Sequence, residues 1–475
     1  MDPLYLTTAI PFVNAAPHLG HALELVHADV LARHARGRGR PVRLLTGTDE
    51  HAPKNAFAAG DEDVPTFVAR NALRFLDLAI ALDVSFDDFI RTSADPRHRP
   101  AVEWIWRACE RRGDLYRRSY EGLYCAGCEE FVIGPCGEHD APPELVSEEN
   151  WFFRLSRYSD VLNDIRVVPE ERAAELRAFL EEGLRDISVS RPRARTRGWG
   201  IPVPGDPDQV VYVWFDALVN YVSALGLGGA DDPLRVWWRE GVERRHVIGK
   251  GIVRFHAIVW PAILRSAGLP LPSTLFVHDY VTVGSRKIGK SLGNAVDPVA
   301  LVDRYGVDAV RWWLLREVPR LGEADFTEER LVDVANRDLA RGIGNLVHRV
   351  AKLAEGLEVR HGEPLPGAAE LPARIDAAIE AYDLRAASAA IIDAVAETNR
   401  CLEHEQPWTV TGVERARRLG QAVATLRVLV AELAAFAPGI ASIAAHRVAG
   451  TAEVVYERRI ARARPEPGPL VTRES

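Results

Sequence analysis

A chain of 475 residues, 47% apolar and 27% charged, is too long for one hydrophobic core and too apolar for a disordered polymer, so about three units of roughly 100–200 residues are expected. Its net charge of −8 excludes a globally basic nucleic-acid-binding surface. Any RNA partner must be met by a local basic patch, for which Arg191, Arg193, Arg195 and Arg197 form one candidate run, a solvated loop being the alternative.

The N-terminus opens directly into a strand-like segment, Leu4 to Ile10, so no secretory leader is expected. From His18 to His34 the apolar residues Leu19, Leu23, Val26 and Val30 recur at helical spacing. A second apolar run at Val42-Arg43-Leu44-Leu45 ends in Thr46-Gly47-Thr48-Asp49-Glu50-His51. Strand, helix, strand is the start of a parallel sheet, and residues 1–115 read as its first half. Residues 116–207 lose that alternation, carry the clustered cysteines, and read as an insertion. The α/β pattern resumes at Val210-Val211-Tyr212-Val213-Trp214 and runs through His246-Val247-Ile248-Gly249 and Leu275-Phe276-Val277, so residues 208–284 read as the second half. A basic loop region occupies 285–335. Residues 336–463 read as helical, with Ile375, Ile379, Tyr382 and Ala386 on one helical face, and 464–475 as a Pro-rich tail. The most apolar stretch, 423–443, is interrupted by Arg427, Glu432 and Pro438 and is not a membrane span. Five cysteines, three of them clustered, suit the reducing cytoplasm and a metal site more than disulfides.

Three groups of residues carry chemistry. Pro17-His18-Leu19-Gly20-His21 stands where the first strand gives way to a helix, the place where parallel sheets bind ligands and helix N-termini favour anions. His18 and His21 there can donate to phosphate oxygens, and Gly20 leaves room for a nucleotide; alone, such a pair is more often a packed or surface feature. Arg286-Lys287-Ile288-Gly289-Lys290-Ser291 is a basic loop whose Lys287 and Lys290 suit a triphosphate, although it lacks P-loop spacing. Cys125-Ala126-Gly127-Cys128, then Cys136-Gly137-Glu138-His139 seven residues on, brings three thiolates and an imidazole within reach of one tetrahedral Zn²⁺. All four positions, Cys125, Cys128, Cys136 and His139, are protein ligands, so the site is read as structural.

The histidine and lysine groups together resemble the two signatures of class I aminoacyl-tRNA synthetases, usually His-Ile-Gly-His and Lys-Met-Ser-Lys-Ser. Further blocks sharpen the resemblance to the methionyl-tRNA synthetase family: the opening from Thr7 to His18, Thr46 to His51, Val213-Trp214-Phe215-Asp216-Ala217-Leu218, and His256 to Pro261. The resemblance implies a Rossmann-type parallel sheet, split by a zinc-knuckle insertion and followed by an α-helical anticodon-binding bundle. It implies a monomeric cytoplasmic ligase that joins methionine to AMP with ATP and Mg²⁺ and passes it to tRNA. His18, Gly20, His21, Lys250, Lys287 and Lys290 are then expected to bind ATP, with the two histidines and Lys287 and Lys290 in the catalytic role. Asp49 is expected to hold the amino acid's ammonium group. Ile10, Phe12, Trp214, Ala217, Leu218, Tyr221, Ile252, His256 and Trp260 are expected to line its side-chain pocket, and Trp408 to stack on an anticodon base. Aromatic and aliphatic walls suit a polarizable thioether. The chain departs from the family's usual residues at Gly251 (Asp), Phe12 (Tyr), Ala52 (Gly), Ile288 (Met) and Gly289 (Ser). These changes keep a second reading open, a related ligase that passes another amino acid to a small-molecule acceptor such as a hydroxylamine.

Overall fold

Alternation along short buried strands decides which side of the sheet each residue meets. In the computed structural model, which describes residues 2–125, 130–132, 134–135, 142–229, 233–288, 293–357, 359 and 362–449, six strands form one sheet. They are β1 (Leu4–Thr8), β2 (Val42–Thr48), β3 (Asp88–Arg91), β4 (Arg166–Val168), β5 (Glu243–Gly249) and β6 (Thr274–His278), in the order β3-β2-β1-β5-β6-β4. Every neighbouring pair is parallel. Leu4, Leu6, Leu44, Val247 and Phe276 enter one core and Tyr5, Leu45, Ile248, Leu275 and Val277 the other. The first core is covered by α1 (Leu19–Gly37), the second by the helices His98–Arg111 and Trp260–Ala267. With both faces buried, β1 and β6 carry apolar residues at successive positions, Leu4-Tyr5-Leu6 and Leu275-Phe276-Val277.

Two segments differ from the sequence reading. Asp206–Val211 does not rejoin this sheet; it pairs with Ser190–Pro192 and Pro202–Val203 in a separate small sheet, and Val213–Leu218 is helical. A short apolar run does not by itself distinguish a strand from a buried helix. Conversely β4, inside the stretch read as an insertion, is the edge strand of the main sheet. Its three residues are too few for a period to register. Much of that stretch forms a four-stranded antiparallel sheet in which Leu115–Cys125 pairs with Glu144–Phe153 from Leu115↔Phe153 to Tyr124↔Glu144. Cys125 is buried at the end of its strand, whereas Cys128, Cys136 and His139 lie outside the described residues.

The C-terminal helices Leu371–Glu380, Leu384–Glu405, Gly412–Leu433 and Pro438–Ala449 share the core of α1. Ile375 and Ile379 are buried in the first of them, but Tyr382 stands beyond its end at φ 55° and Ala386 is exposed on the next helix. Asp383, whose side chain accepts from the amide of Ala386 at 2.8 Å, caps that new helix and breaks the expected face. An ion pair between fully buried Arg311 and Asp29 (2.7 Å) fixes the helix Val307–Arg316 to α1. Arg311 also donates to the carbonyls of Leu82, Ala435 and Phe436. No helix among the described residues is long and apolar enough to cross a membrane.

Candidate active site

Strand order reverses between β1 and β5, and such a switch point opens a crevice at the carboxyl ends of the two strands. The chain leaving β1 enters α1 there. His18 is not a helical residue but the N-cap: its Nδ1 accepts from the amide of Gly20 (3.1 Å), and His21 Nδ1 accepts from the amide of His18 (3.0 Å). This is a capping box built from two imidazoles. Burial, then the charge of Lys287, lowers the pKa of His18 to about 4, and burial, then His18, holds His21 well below the ordinary imidazole range. Both rings are therefore neutral at pH 7, and with Nδ1 accepting, each carries its proton on Nε2. The rings stack at 3.9 Å, presenting two uncharged donors side by side. The space a Cβ would take at Gly20 is filled by His18 itself, whose Cε1 would lie 2.9 Å away. Gly20 thus serves the cap directly.

Residues from the loops after β1 and β2, from the helices Val213–Leu218 and Asn220–Ser223, and from the segment after β5 form an aromatic cluster. Phe12 and Asp49 form an isolated parallel bridge, and the amide of Asp49 donates to the carbonyl of Pro11 at 2.9 Å. Phe12 meets Trp214 edge-on at 5.9 Å, and Trp214 stacks flat on Phe255 at 4.0 Å. Tyr221 packs against His246 (4.1 Å), His256 (5.8 Å) and Trp260 (5.9 Å). His256 lies in a π-helical turn, Phe255–Val259, a distortion that recurs at functional sites. Its Nδ1 is 3.0 Å from the carbonyl of Ile252, which accepts only, so Nδ1 carries the proton. Burial lowers its pKa to about 4. Nε2 consequently accepts from the Tyr221 hydroxyl at 2.7 Å. Ala217 and Leu218 are buried, while Ile10 and Ile252 are partly buried beside them. Asp49 is buried, and its Oδ1 has no hydrogen-bond partner among the described residues. Burial and then the nearby charge of Asp216 push its pKa well above the carboxylate range.

The other expected residues are distributed as follows. Lys250 sits at the end of β5, 2.8 Å from Glu323 and 3.4 Å from Asp279. The ammonium groups of Lys250 and Lys287 each lie 4.5 Å from the Tyr280 ring centroid. Lys290 lies outside the described residues. Trp408 is 38% exposed at the turn after Gln406, with the Arg349 guanidinium 5.0 Å over its ring. Of the arginine run, Arg191 is buried against Tyr212 (4.2 Å) and Arg195 pairs with Glu148 (2.8 Å), whereas Arg193 is exposed and so is Arg197, whose guanidinium lies 4.9 Å over the Phe57 ring.

Several residues escaped the sequence reading. Asp216, quoted only as part of a block, accepts from His51 Nδ1 (2.7 Å) and His98 Nε2 (2.6 Å) beneath Asp49. Burial opposes ionisation of His51, yet the Asp216 carboxylate outweighs it and raises the His51 pKa. These three side chains are also the one group of metal-ligand geometry among the described residues, but separations of 2.6–2.7 Å are those of hydrogen bonds. Phe255 and Lys54, whose ammonium lies 3.8 Å from the Phe12 ring centroid, had no signal beyond proximity to quoted blocks.

A doubly wound sheet with an imidazole-capped helix at its switch point, followed by a helical bundle, is the class I synthetase fold. Residues 4–136 and 134–351 match the family model described as tRNA synthetases class I (M). The chain is 41% identical over 448 residues to the methionine–tRNA ligase of Brucella suis, covering 88% of this chain and 85% of that one. It is 40% identical to that of Thermotoga maritima, covering 88% and 70%. The Mycobacterium tuberculosis methionyl-tRNA synthetase in complex with methionyl-adenylate superposes with a TM-score of 0.85 at 36% identity, over 94% of this chain and 93% of that one. The chain belongs to the methionyl-tRNA synthetase family.

Proposed function

We propose that this chain activates methionine with ATP and charges tRNA, and that the residues at the switch point carry out the activation. The observation that carries the reading is Asp49: a buried carboxylate whose Oδ1 has no partner among the described residues, bridged to Phe12 of the aromatic cluster. A substrate ammonium supplies the missing partner and returns the carboxyl to its ionised form. The side chain then extends between Phe12, Trp214, Tyr221, His256 and Trp260, with Ile10, Ala217, Leu218 and Ile252 behind. Because the Tyr221 hydroxyl donates to His256 Nε2 (2.7 Å) and His256 Nδ1 donates to the Ile252 carbonyl (3.0 Å), neither directs its proton at the ligand, which suits a thioether over a polar side chain.

The methionine carboxylate attacks the α-phosphorus of ATP, and pyrophosphate leaves. His18 and His21 hold phosphate oxygens through Nε2–H donors without adding charge, while Lys250, Lys287 and Lys290 supply the positive charge. A Mg²⁺ ion bound with ATP would neutralise part of the triphosphate. The relatives are named methionine–tRNA ligases, which favours tRNA over a small-molecule acceptor. In the helical domain Trp408, exposed beside Arg349, offers a stacking face for an anticodon base. We also propose that Cys125, Cys128, Cys136 and His139 hold a structural zinc; the pairing of Tyr124 with Glu144 brings the two flanks of that segment together. Methionine-dependent ATP–pyrophosphate exchange, followed by charging of methionine tRNA, tests the function. Exchange driven better by another amino acid, or activation without charging, would overturn it.

A further inference from the structure

The ammonium of Lys250 has two carboxylate neighbours of opposite character. Glu323, 2.8 Å away, has a side chain 47% exposed. Asp279, 3.4 Å away and 3% exposed, follows β6 directly and is held from three sides. Its Oδ1 also meets the Arg172 guanidinium, and its Oδ2 accepts from the amide of Gly322 at 2.6 Å. Asp279 is thus a fixed charge and Glu323 an exchangeable one. Position 251, where the family carries a carboxylate next to this lysine, is the exposed Gly251. Tyr280, adjacent to Asp279, lies under both Lys250 and Lys287, so one dipeptide supports two cations beside the crevice.

Resting on the reading of the crevice as the ATP site, we propose that Asp279 is the positioning residue for Lys250. It keeps the ammonium at the carboxyl end of β5 while Glu323 gives up its place to a triphosphate oxygen. The two carboxylates on one lysine then act with opposite sign. Losing Asp279 leaves Lys250 with only its mobile partner and lets it swing from the crevice; losing Glu323 removes a competitor of the phosphate. Arg172 keeps a second carboxylate, Glu175 at 2.6 Å, so Asp279→Asn does not strand it.

The test is the KM for each substrate in ATP–pyrophosphate exchange, together with the Kd for ATP measured directly. Asp279→Asn is expected to raise the KM and Kd for ATP about 10-fold, as loss of a charge-assisted contact does, with the methionine KM unchanged. Glu323→Gln is expected to lower them by about 2- to 5-fold, the scale of an exposed ion pair. In a Lys250→Ala background Asp279→Asn should add nothing, and Gly251→Asp should restore ATP affinity to the Asp279→Asn variant. An Asp279→Asn variant that binds ATP normally, that loses both substrates equally, or that weakens ATP binding even without Lys250 overturns the proposal. If that variant does not fold, a Glu323→Gln variant that binds ATP less tightly overturns it alone. Failure of the unsubstituted enzyme to exchange with methionine would refute the functional reading instead, while the ATP Kd series would still decide the role of Asp279.

Discussion

Replacing Asp49 by asparagine separates what this carboxylate does for the fold from what it does for the substrate. Among the described residues one oxygen of Asp49 has no hydrogen-bond partner, and burial together with Asp216 disfavours its charge. An acid whose folded pKa lies above its unfolded value opposes folding at pH values above the unfolded one, and this effect vanishes as pH falls below it. Asparagine removes that cost at pH 7, so Tm should stay level or rise. With methionine bound the sign reverses. A charge-assisted hydrogen bond to the ammonium contributes about 1.5–3 kcal/mol, so Asp49→Asn should raise the methionine KM by roughly 10- to 150-fold. The KM for ATP should not move. The pH dependence adds a second reading of the same group: as pH falls through the raised pKa of Asp49, the carboxyl takes up a proton and the methionine KM climbs. The variant has no such group and should lose that dependence. Exchange kinetics against methionine and ATP, with thermal melts of both proteins, provide the measurement. A variant with lower Tm and unchanged methionine KM would show that Asp49 is a packing residue.

Tyr221→Phe leaves the buried Nε2 of His256 without its donor, a loss of about 1–3 kcal/mol that should appear as a lower Tm and a raised methionine KM; unchanged methionine binding would remove Tyr221 from the pocket wall. Lys290→Ala should slow adenylate formation by about 10²–10³-fold with methionine binding intact, as loss of transition-state charge stabilisation does. An unaltered exchange rate would place that lysine away from the pyrophosphate. Metal analysis of protein purified without added zinc should find one zinc per chain, and alkylation of Cys125, Cys128 and Cys136 by thiol reagents should be suppressed until a chelator is added. Trp408→Ala should weaken tRNA recognition by about 1–3 kcal/mol while amino-acid activation without tRNA is untouched. Equal charging by both proteins would make Trp408 a packing residue.

Much of this was legible in the sequence because local chemistry and local spacing coincide. The apolar positions Leu19, Leu23, Val26 and Val30 mark α1, and all are buried. The family blocks identify the switch-point loops because each is a contiguous run that stays contiguous in space. The sequence also places His18 and His21 at the start of α1, yet not their tautomer. Only the cap geometry, with each Nδ1 occupied by a backbone amide, leaves Nε2 as the donor. Where neighbours come from distant segments, the sequence was silent. The apolar run Val210–Trp214 reads as part of the resumed sheet, yet its end belongs to the helix Val213–Leu218. β4 becomes part of the main sheet only by hydrogen-bonding to β6, more than a hundred residues away. Asp216 gains its two imidazoles from His51 and His98, and Asp279 its two cations from Arg172 and Lys250. Hydrogen bonds and ion pairs are made between atoms a few ångströms apart, and separation along the chain puts no limit on which residues the fold brings within that range.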